Sequence, residues 1–250
     1  MPVEVQELPC REGHIGLLTL NSPDTLNALT EEMIIQAQEA LDAWAEDDRI
    51  CLVVLRGAGD RAFCAGGNIR TLYDALKGQG DAEAPARFFT SEYRLDYSVH
   101  RFPKPVIGLA HGIVMGGGLG LLSACRYRLV TPDVTLAMPE IAIGLFPDVG
   151  ASWFLKRLPG RLGLFMGLTG ARLNVSDTLR VGLADMAILP DDRDRLQPAR
   201  QRTDHDPPPL GAGDGDPVLI NTPGVYTITY NATKPQVRFD QRGGCLHRPF

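Results

Sequence analysis

Two carboxyl groups in one short segment and a run of three glycines ahead of an apolar stretch are the features of this chain best suited to chemistry. Glu140 follows Pro139, and Asp148 stands eight residues further on, in Met138-Pro139-Glu140-Ile141-Ala142-Ile143-Gly144-Leu145-Phe146-Pro147-Asp148-Val149-Gly150. Carboxyls that share a partly apolar pocket push their pKa values apart, so that one can hold a proton while the other accepts one. Plainer roles fit the residues equally well: Glu140 as a helix-start acid, and Asp148 as the cap of a helix running to Lys156. Gly116-Gly117-Gly118 leads into Leu119-Gly120-Leu121-Leu122. A glycine turn at a helix N-terminus offers free N–H groups and a dipole that favours an anion, such as a carbonyl oxygen under attack. Tight turns and close helix packing would also use these glycines. The spacing fails the dinucleotide fingerprint, and no suitably placed acidic residue follows. His100 and His111 stand singly beside apolar segments, as packed or hydrogen-bonded histidines do. Asp24, Glu31 and Glu32 read as a solvated helix start.

The background composition narrows the partners. The chain has 250 residues, 44% of them hydrophobic, enough for one substantial core. With 25 basic residues spread among 30 acidic ones and a net charge of −5, it shows no footprint for nucleic acid or an anionic membrane, and a small-molecule substrate is expected. The five cysteines, Cys10, Cys51, Cys64, Cys125 and Cys245, form no CxxC pair and no zinc-like grouping, which predicts a reduced compartment and no metal. The N-terminal residues resemble no secretory signal, and no stretch is long and apolar enough for a membrane span. The expected location is the cytoplasm.

These groups have to be positioned by alternating strands and helices. An apolar run at 15–20 reads as a strand, broken by Asn21-Ser22-Pro23-Asp24. A helix follows, with Thr30 as its cap and Met33, Ile34, Ala37, Ala40, Leu41 and Trp44 on one face, up to Glu46. Residues 51–55 are continuously apolar, as in a strand covered on both faces, and 105–110 form another strand before the glycine turn. The stretch 77–81 looks mobile and could cover a pocket, and residues from 87 onward look helical. The repeated alternation predicts an α/β fold. From about residue 190, a charge run and Pro/Gly-rich sequence predict a divergent, poorly ordered tail over 191–250, with an isolated strand near 225–230.

Three segments in this order resemble the crotonase (enoyl-CoA hydratase/isomerase) superfamily. They are Phe63-Cys64-Ala65-Gly66-Gly67-Asn68-Ile69, the glycine-rich stretch from His111 to Leu121, and the segment from Met138 to Gly150; Gly182-Leu183-Ala184-Asp185 adds to them. The resemblance covers residues 15 to 190 and implies a spiral of repeated ββα units for a 1–190 core, an acyl-CoA substrate, no separate cofactor, and assembly as trimers or hexamers. It also implies that Gly67 and Gly117 form an oxyanion hole. Cys64 falls at a position the family uses for packing.

Family hydratases carry a glutamate where this chain has Gly120, which disfavours ordinary hydration. Glu140 with Asp148, and Phe88-Phe89-Thr90-Ser91-Glu92-Tyr93, resemble the 3-hydroxyisobutyryl-CoA hydrolase branch instead. That likeness implies thioester hydrolysis in valine breakdown, with Glu140 and Asp148 catalytic and Glu92, Gly117, Glu140 and Asp148 touching substrate. Asn68 replaces the family's usual aspartate. Nothing after about Leu196 resembles the branch's C-terminal helices, so the C-terminal region reads as truncated or altered. Alternatives are an enoyl-CoA hydratase or isomerase, or an inactive acyl-CoA-binding remnant or assembly partner.

Overall fold

The computed structural model describes residues 1–10 and 13–190, together with four strand segments at 218–221, 226–231, 236–241 and 244–246. In chain order the elements are β1 (Val3–Cys10), β2 (Gly13–Leu20), α1 (Glu31–Glu46), β3 (Ile50–Gly57), β4 (Ala62–Cys64), α2 (Ile69–Leu76), α3 (Ala84–His100), β5 (Val106–Ala110), β6 (Ile113–Met115) and α4 (Gly117–Ala124). There follow β7 (Tyr127–Val130), β8 (Thr135–Ala137), a 3₁₀ turn at Glu140–Ile143, α5 (Ala151–Phe154), α6 (Leu162–Thr169), α7 (Val175–Val181) and β9 (Met186–Ala187).

From β3 to β9, successive strands alternate between two sheets. β1, β2, β3, β5, β7 and β9 line up in that order in a six-stranded sheet, parallel except for the β1–β2 hairpin. β4, β6 and β8 form a second, three-stranded parallel sheet. Each turn of chain thus lays one strand in each sheet before the next helical stretch, which is the ββα spiral the motifs imply. The six-stranded sheet is covered on both faces. Leu18, Leu20, Val53 and Leu55 pack with Met33, Leu41, Trp44, Leu95 and Leu121 in the main core. The alternate residues Ile15, Leu17, Leu52, Val54, Ile107 and Leu109 form a smaller cluster behind it. This two-sided burial explains the unbroken apolar run at 51–55.

Thr30 caps α1 as the sequence predicts, its hydroxyl accepting from the Met33 N–H at 3.2 Å. The helix predicted from residue 87 begins earlier, at Ala84, and α2 precedes it. Toward the C-terminus, the strand expected near 225–230 is β11 (Tyr226–Asn231). It is not isolated, because it pairs antiparallel with β10 (Val218–Asn221) and β12 (Gln236–Gln241), and β13 (Gly244–Leu246) completes a four-stranded sheet. Cross-strand pairs such as Ile228↔Phe239 and Tyr230↔Val237 carry a period-two pattern that the surrounding prolines and glycines obscure. The rest of the expectation for 191–250 lies outside the described residues.

The segment between β2 and α1 holds the first glycine loop in place. Leu26 and Asn27 both take positive φ, 59° and 53°. Asn27 is buried and donates to the carbonyls of Ala58 and Ala62 at 2.9 and 2.8 Å, while its Oδ1 accepts from the Ser22 N–H at 2.8 Å. Backbone bonds Ala65→Leu26, Leu29→Gly66 and Asn68→Leu29 then stitch residues 65–68 alongside. Asn tolerates the left-handed region because its short amide bonds locally, and alanine has no such compensation. Asn27→Ala is therefore expected to cost roughly 2–4 kcal/mol, by leaving buried groups unpaired in a strained turn, measured as a shift in denaturant midpoint at unchanged slope.

Candidate active site

Two glycine turns meet at the ends of β4 and β6. Gly66 (φ 101°) lies against the second turn: a methyl placed on it would stand 3.0 Å from the Met115 carbonyl and 3.4 Å from the Gly117 nitrogen. Gly116, at φ 53°, turns the chain sharply into α4, and Gly117 is its first residue. Among the described residues no acceptor takes the N–H of Gly67 or of Gly117, so two donors remain available where the loops converge. The Phe88 ring of α3 covers Gly67.

Two carboxyls press on this turn from different elements. Glu92 lies on α3 in the buried series Phe88, Glu92, Leu95, Val99, at helical spacing on its inner face. A side chain at Gly117 would collide with its Oε1, and its Cδ lies 3.3 Å from where that methyl would be. Glu140 starts the 3₁₀ turn after β8, and its Oε1 is 3.0 Å from the corresponding position on Gly116. Glu92 is 2% exposed and Glu140 8% exposed, and each has one buried carboxyl oxygen with no hydrogen-bond partner. Burial pushes Glu92 up to about 8, with further contributions from Asp148 and Glu140. Burial, and then the charge of Asp148, pushes Glu140 up to about 7 against a lowering by its own backbone N–H. Near neutrality, then, Glu92 keeps its proton and Glu140 is poised to exchange one.

Asp148 does not cap the helix that follows. The N-cap of α5 is Gly150, with no side-chain bond, whereas the Asp148 Oδ2 accepts from the Tyr93 hydroxyl of α3 at 2.6 Å. Tyr93 and Asp96 are members of this cluster that sequence reading did not single out. Asp96 sits one helical turn after Glu92, with an enclosed, unpartnered Oδ2, and burial together with Glu92 and Asp148 raises its carboxyl well above the ordinary range. The i, i+4 placement of two acids on the face that also carries Phe88 and Leu95 is the available signal for Asp96. Tyr93 lies in the Phe88–Tyr93 segment that resembles the hydrolase branch, but its partner, 55 residues away, is not legible there.

The other candidates serve packing and local contacts. Cys64 is fully buried and its thiol is pushed up to about 12 by burial, which suits packing rather than nucleophilic attack. His100 meets Trp153 edge-on at 5.3 Å, and His111 is buried directly after the end of β5. Gly120, where a hydratase glutamate is expected, has no room for a side chain: a methyl there would overlap the Val149 Cβ and lie 2.6 Å from its Cγ2 and 2.9 Å from its carbonyl.

Fold and motifs together define the class: the chain belongs to the enoyl-CoA hydratase/isomerase family, whose model matches residues 15–211. Within it, the chain is 48% identical over 174 residues to the human protein named 3-hydroxyisobutyryl-CoA hydrolase, mitochondrial, covering 70% of this chain and 45% of that one. It is 45% identical over 184 residues to 3-hydroxyisobutyryl-CoA hydrolase 1 of Arabidopsis thaliana, covering 74% and 48%. Among solved structures, a carnitinyl-CoA dehydratase from Mycobacterium thermoresistibile matches with TM-score 0.72 and 42% identity over 78% of this chain and 56% of that one. An enoyl-CoA hydratase from Rhodobacter sphaeroides matches with TM-score 0.70 and 40% identity over 77% and 56%. The chain spans about half the length of the curated relatives it matches. Among the described residues, no helix is long and apolar enough to cross a membrane.

Raised carboxyl pKa values carry a pH signature. Glu92 and Glu140 bind protons more tightly in the folded than in the unfolded chain, so folding stability is expected to fall as pH rises from about 4.5 toward 8. Thermal melts of wild type and Glu92→Gln across this range check it: the amide variant should lose much of the slope and melt higher than wild type at the alkaline end.

Proposed function

We propose that the chain hydrolyses a 3-hydroxyacyl-CoA thioester, 3-hydroxyisobutyryl-CoA, to 3-hydroxyisobutyrate and CoA, as a step of valine breakdown. The observation that carries this reading is Glu140 against the Gly116 turn, within reach of the charge of Asp148, with the hydratase glutamate position at Gly120 closed by Val149. The names of the human and Arabidopsis relatives support the same substrate class.

In this reading the thioester oxygen sits between the N–H groups of Gly67 and Gly117, which stabilise the negative charge that develops when its carbon is attacked. Glu140 drives the acyl transfer. As a base it takes a proton from water while the water oxygen attacks, and returns that proton to the departing CoA sulfur. As a nucleophile it displaces the thiolate to form an anhydride that water then cleaves. Asp148, oriented by Tyr93, holds the substrate's 3-hydroxyl, and protonated Glu92 donates a hydrogen bond to bound substrate. Coenzyme A enters as part of the substrate, with no separate cofactor. The proposal includes a trimeric or hexameric assembly and a cytoplasmic site of action; the human relative's name places that protein in mitochondria, and cell fractionation distinguishes the two locations.

A thiol-release assay on 3-hydroxyisobutyryl-CoA, run beside a hydration assay on crotonyl-CoA, tests the reaction class. Hydrolysis of the first and poor hydration of the second are expected. Efficient crotonyl-CoA hydration would restore the hydratase reading, and tight thioester binding without turnover would make the chain an acyl-CoA-binding remnant or assembly partner. Glu140→Gln should retain binding and lose most turnover. Gly117→Pro removes one N–H donor and also displaces Glu92, so kcat should fall by at least about 10²–10³, the loss expected for the donor alone. A covalent acyl adduct on Glu140, caught by rapid quench and mass spectrometry in a single turnover, separates the two roles, because only the nucleophilic route forms it.

The kcat/KM profile should rise through about pH 7 as Glu140 loses its proton, then fall through about pH 8 as Glu92 does. The two limbs belong to the coupled cluster rather than to single residues. A profile in Glu92→Gln without the alkaline limb would match this expectation, and a flat wild-type profile between pH 6 and 9 would contradict it.

A further inference from the structure

Val149 has a backbone conformation that a β-branched residue rarely adopts. Its φ is 40°, and Gly150 beside it is at 80°, so the chain makes a tight left-handed turn directly after Asp148. Glycine would adopt this conformation without steric conflict, yet the buried position holds valine. A residue kept in the left-handed region against its own preference is held there by its surroundings, and such residues cluster where geometry serves function. Here the surroundings are α4. The Val149 side chain fills the space a side chain on Gly120 would need. On the other side of the turn Asp148 points back to α3, where its Oδ2 takes the Tyr93 hydroxyl, and its carbonyl accepts from Ala151 N–H at 2.6 Å. The turn therefore sends two neighbouring side chains to different helices, Val149 to α4 behind the glycine turn and Asp148 to Tyr93 of α3.

We propose that Val149, seated on Gly120, is the specificity-determining positioning residue of this site: its contact with α4 fixes the direction of Asp148 and so determines recognition of a hydroxyl on the acyl chain. The inference rests on the proposed 3-hydroxyacyl-CoA reading and deepens it. It also gives the Gly120 position a positive role. Absence of a glutamate there makes room for the wedge that aims Asp148, so the two arrangements exclude each other within one site.

The test is binding by the whole chain, measured calorimetrically with non-hydrolysable thioether analogues of 3-hydroxyisobutyryl-CoA and of isobutyryl-CoA, which differ in the hydroxyl alone. A well-placed hydrogen bond to a charged group makes the wild-type Kd ratio about ten-fold or more in favour of the hydroxylated analogue. Val149→Gly relaxes the turn and removes the wedge, and Gly120→Ala pushes the wedge out; each should bring the ratio close to one while both analogues still bind. Val149→Thr keeps the β-branched wedge shape, at the cost of burying a hydroxyl, and should keep the ratio within about two-fold of wild type even where it lowers the melting temperature. A purely structural role would lower the melting temperature of Val149→Gly and leave the ratio intact. A wild-type ratio of one overturns the reading of the site and this inference with it. A wild-type ratio of ten that persists in both Val149→Gly and Gly120→Ala overturns this inference alone.

Discussion

The site depends on the contact of two acids with two consecutive glycines. Glu92 comes from α3 and Glu140 from the turn after β8, and both carboxyls occupy volume that any side chain at positions 117 and 116 would claim. The contact constrains everything around it. β6 must end at Met115 so that the chain can reverse at Gly116, α3 must run close enough to α4 to present Glu92, and β8 must deliver Pro139 to the same point. The energetic consequence is equally direct. Among the described residues no lysine or arginine offsets these acids, so burial is met by retention of protons. A site built on neutral carboxyls and unfilled N–H groups is less stable than an apolar one of the same shape, and the large two-faced core supplies the stability that allows it.

Much of this is legible in the sequence because the decisive features are local. The α1 face and its Thr30 cap, the apolar strand at 51–55 and the three motif segments all carry short-range patterns that survive folding unchanged. β1 is less visible: Val3-Glu4-Val5-Gln6 alternates, but Glu7 and Pro9 break the pattern, as suits a half-exposed strand at the edge of a sheet. The carboxyl cluster is half visible. Glu92 and Glu140 lie in recognisable segments, whereas Asp96 reads as one more acid on a helix until its enclosure is seen, and the Tyr93–Asp148 bond joins residues with no sequence relation. Gly120 is instructive in another way. The residue type reveals that a glutamate is missing, but the occupant of its space depends on a backbone conformation at Val149 that no propensity would assign to valine.

The segment that follows the second acid is fastened to α3 at two places by different chemistry. Tyr93 holds Asp148 through a hydrogen bond, and His100, seven residues further along the same helix, meets Trp153 through ring edges, with Arg157 stacked on the far member of that pair. At the rise of an α-helix the two fastenings are about 10 Å apart. A single fastening leaves a body free to swing about it, while two at this separation remove the swing, as two pins fix a plate that one pin lets rotate. In kinematic terms α3 and the stretch from Asp148 to Trp153 make one lever. The stretch also carries Val149, seated on Gly120, so the lever is pinned to α4 as well, and the placing of Asp148 relative to Glu92 is set by three contacts on two helices.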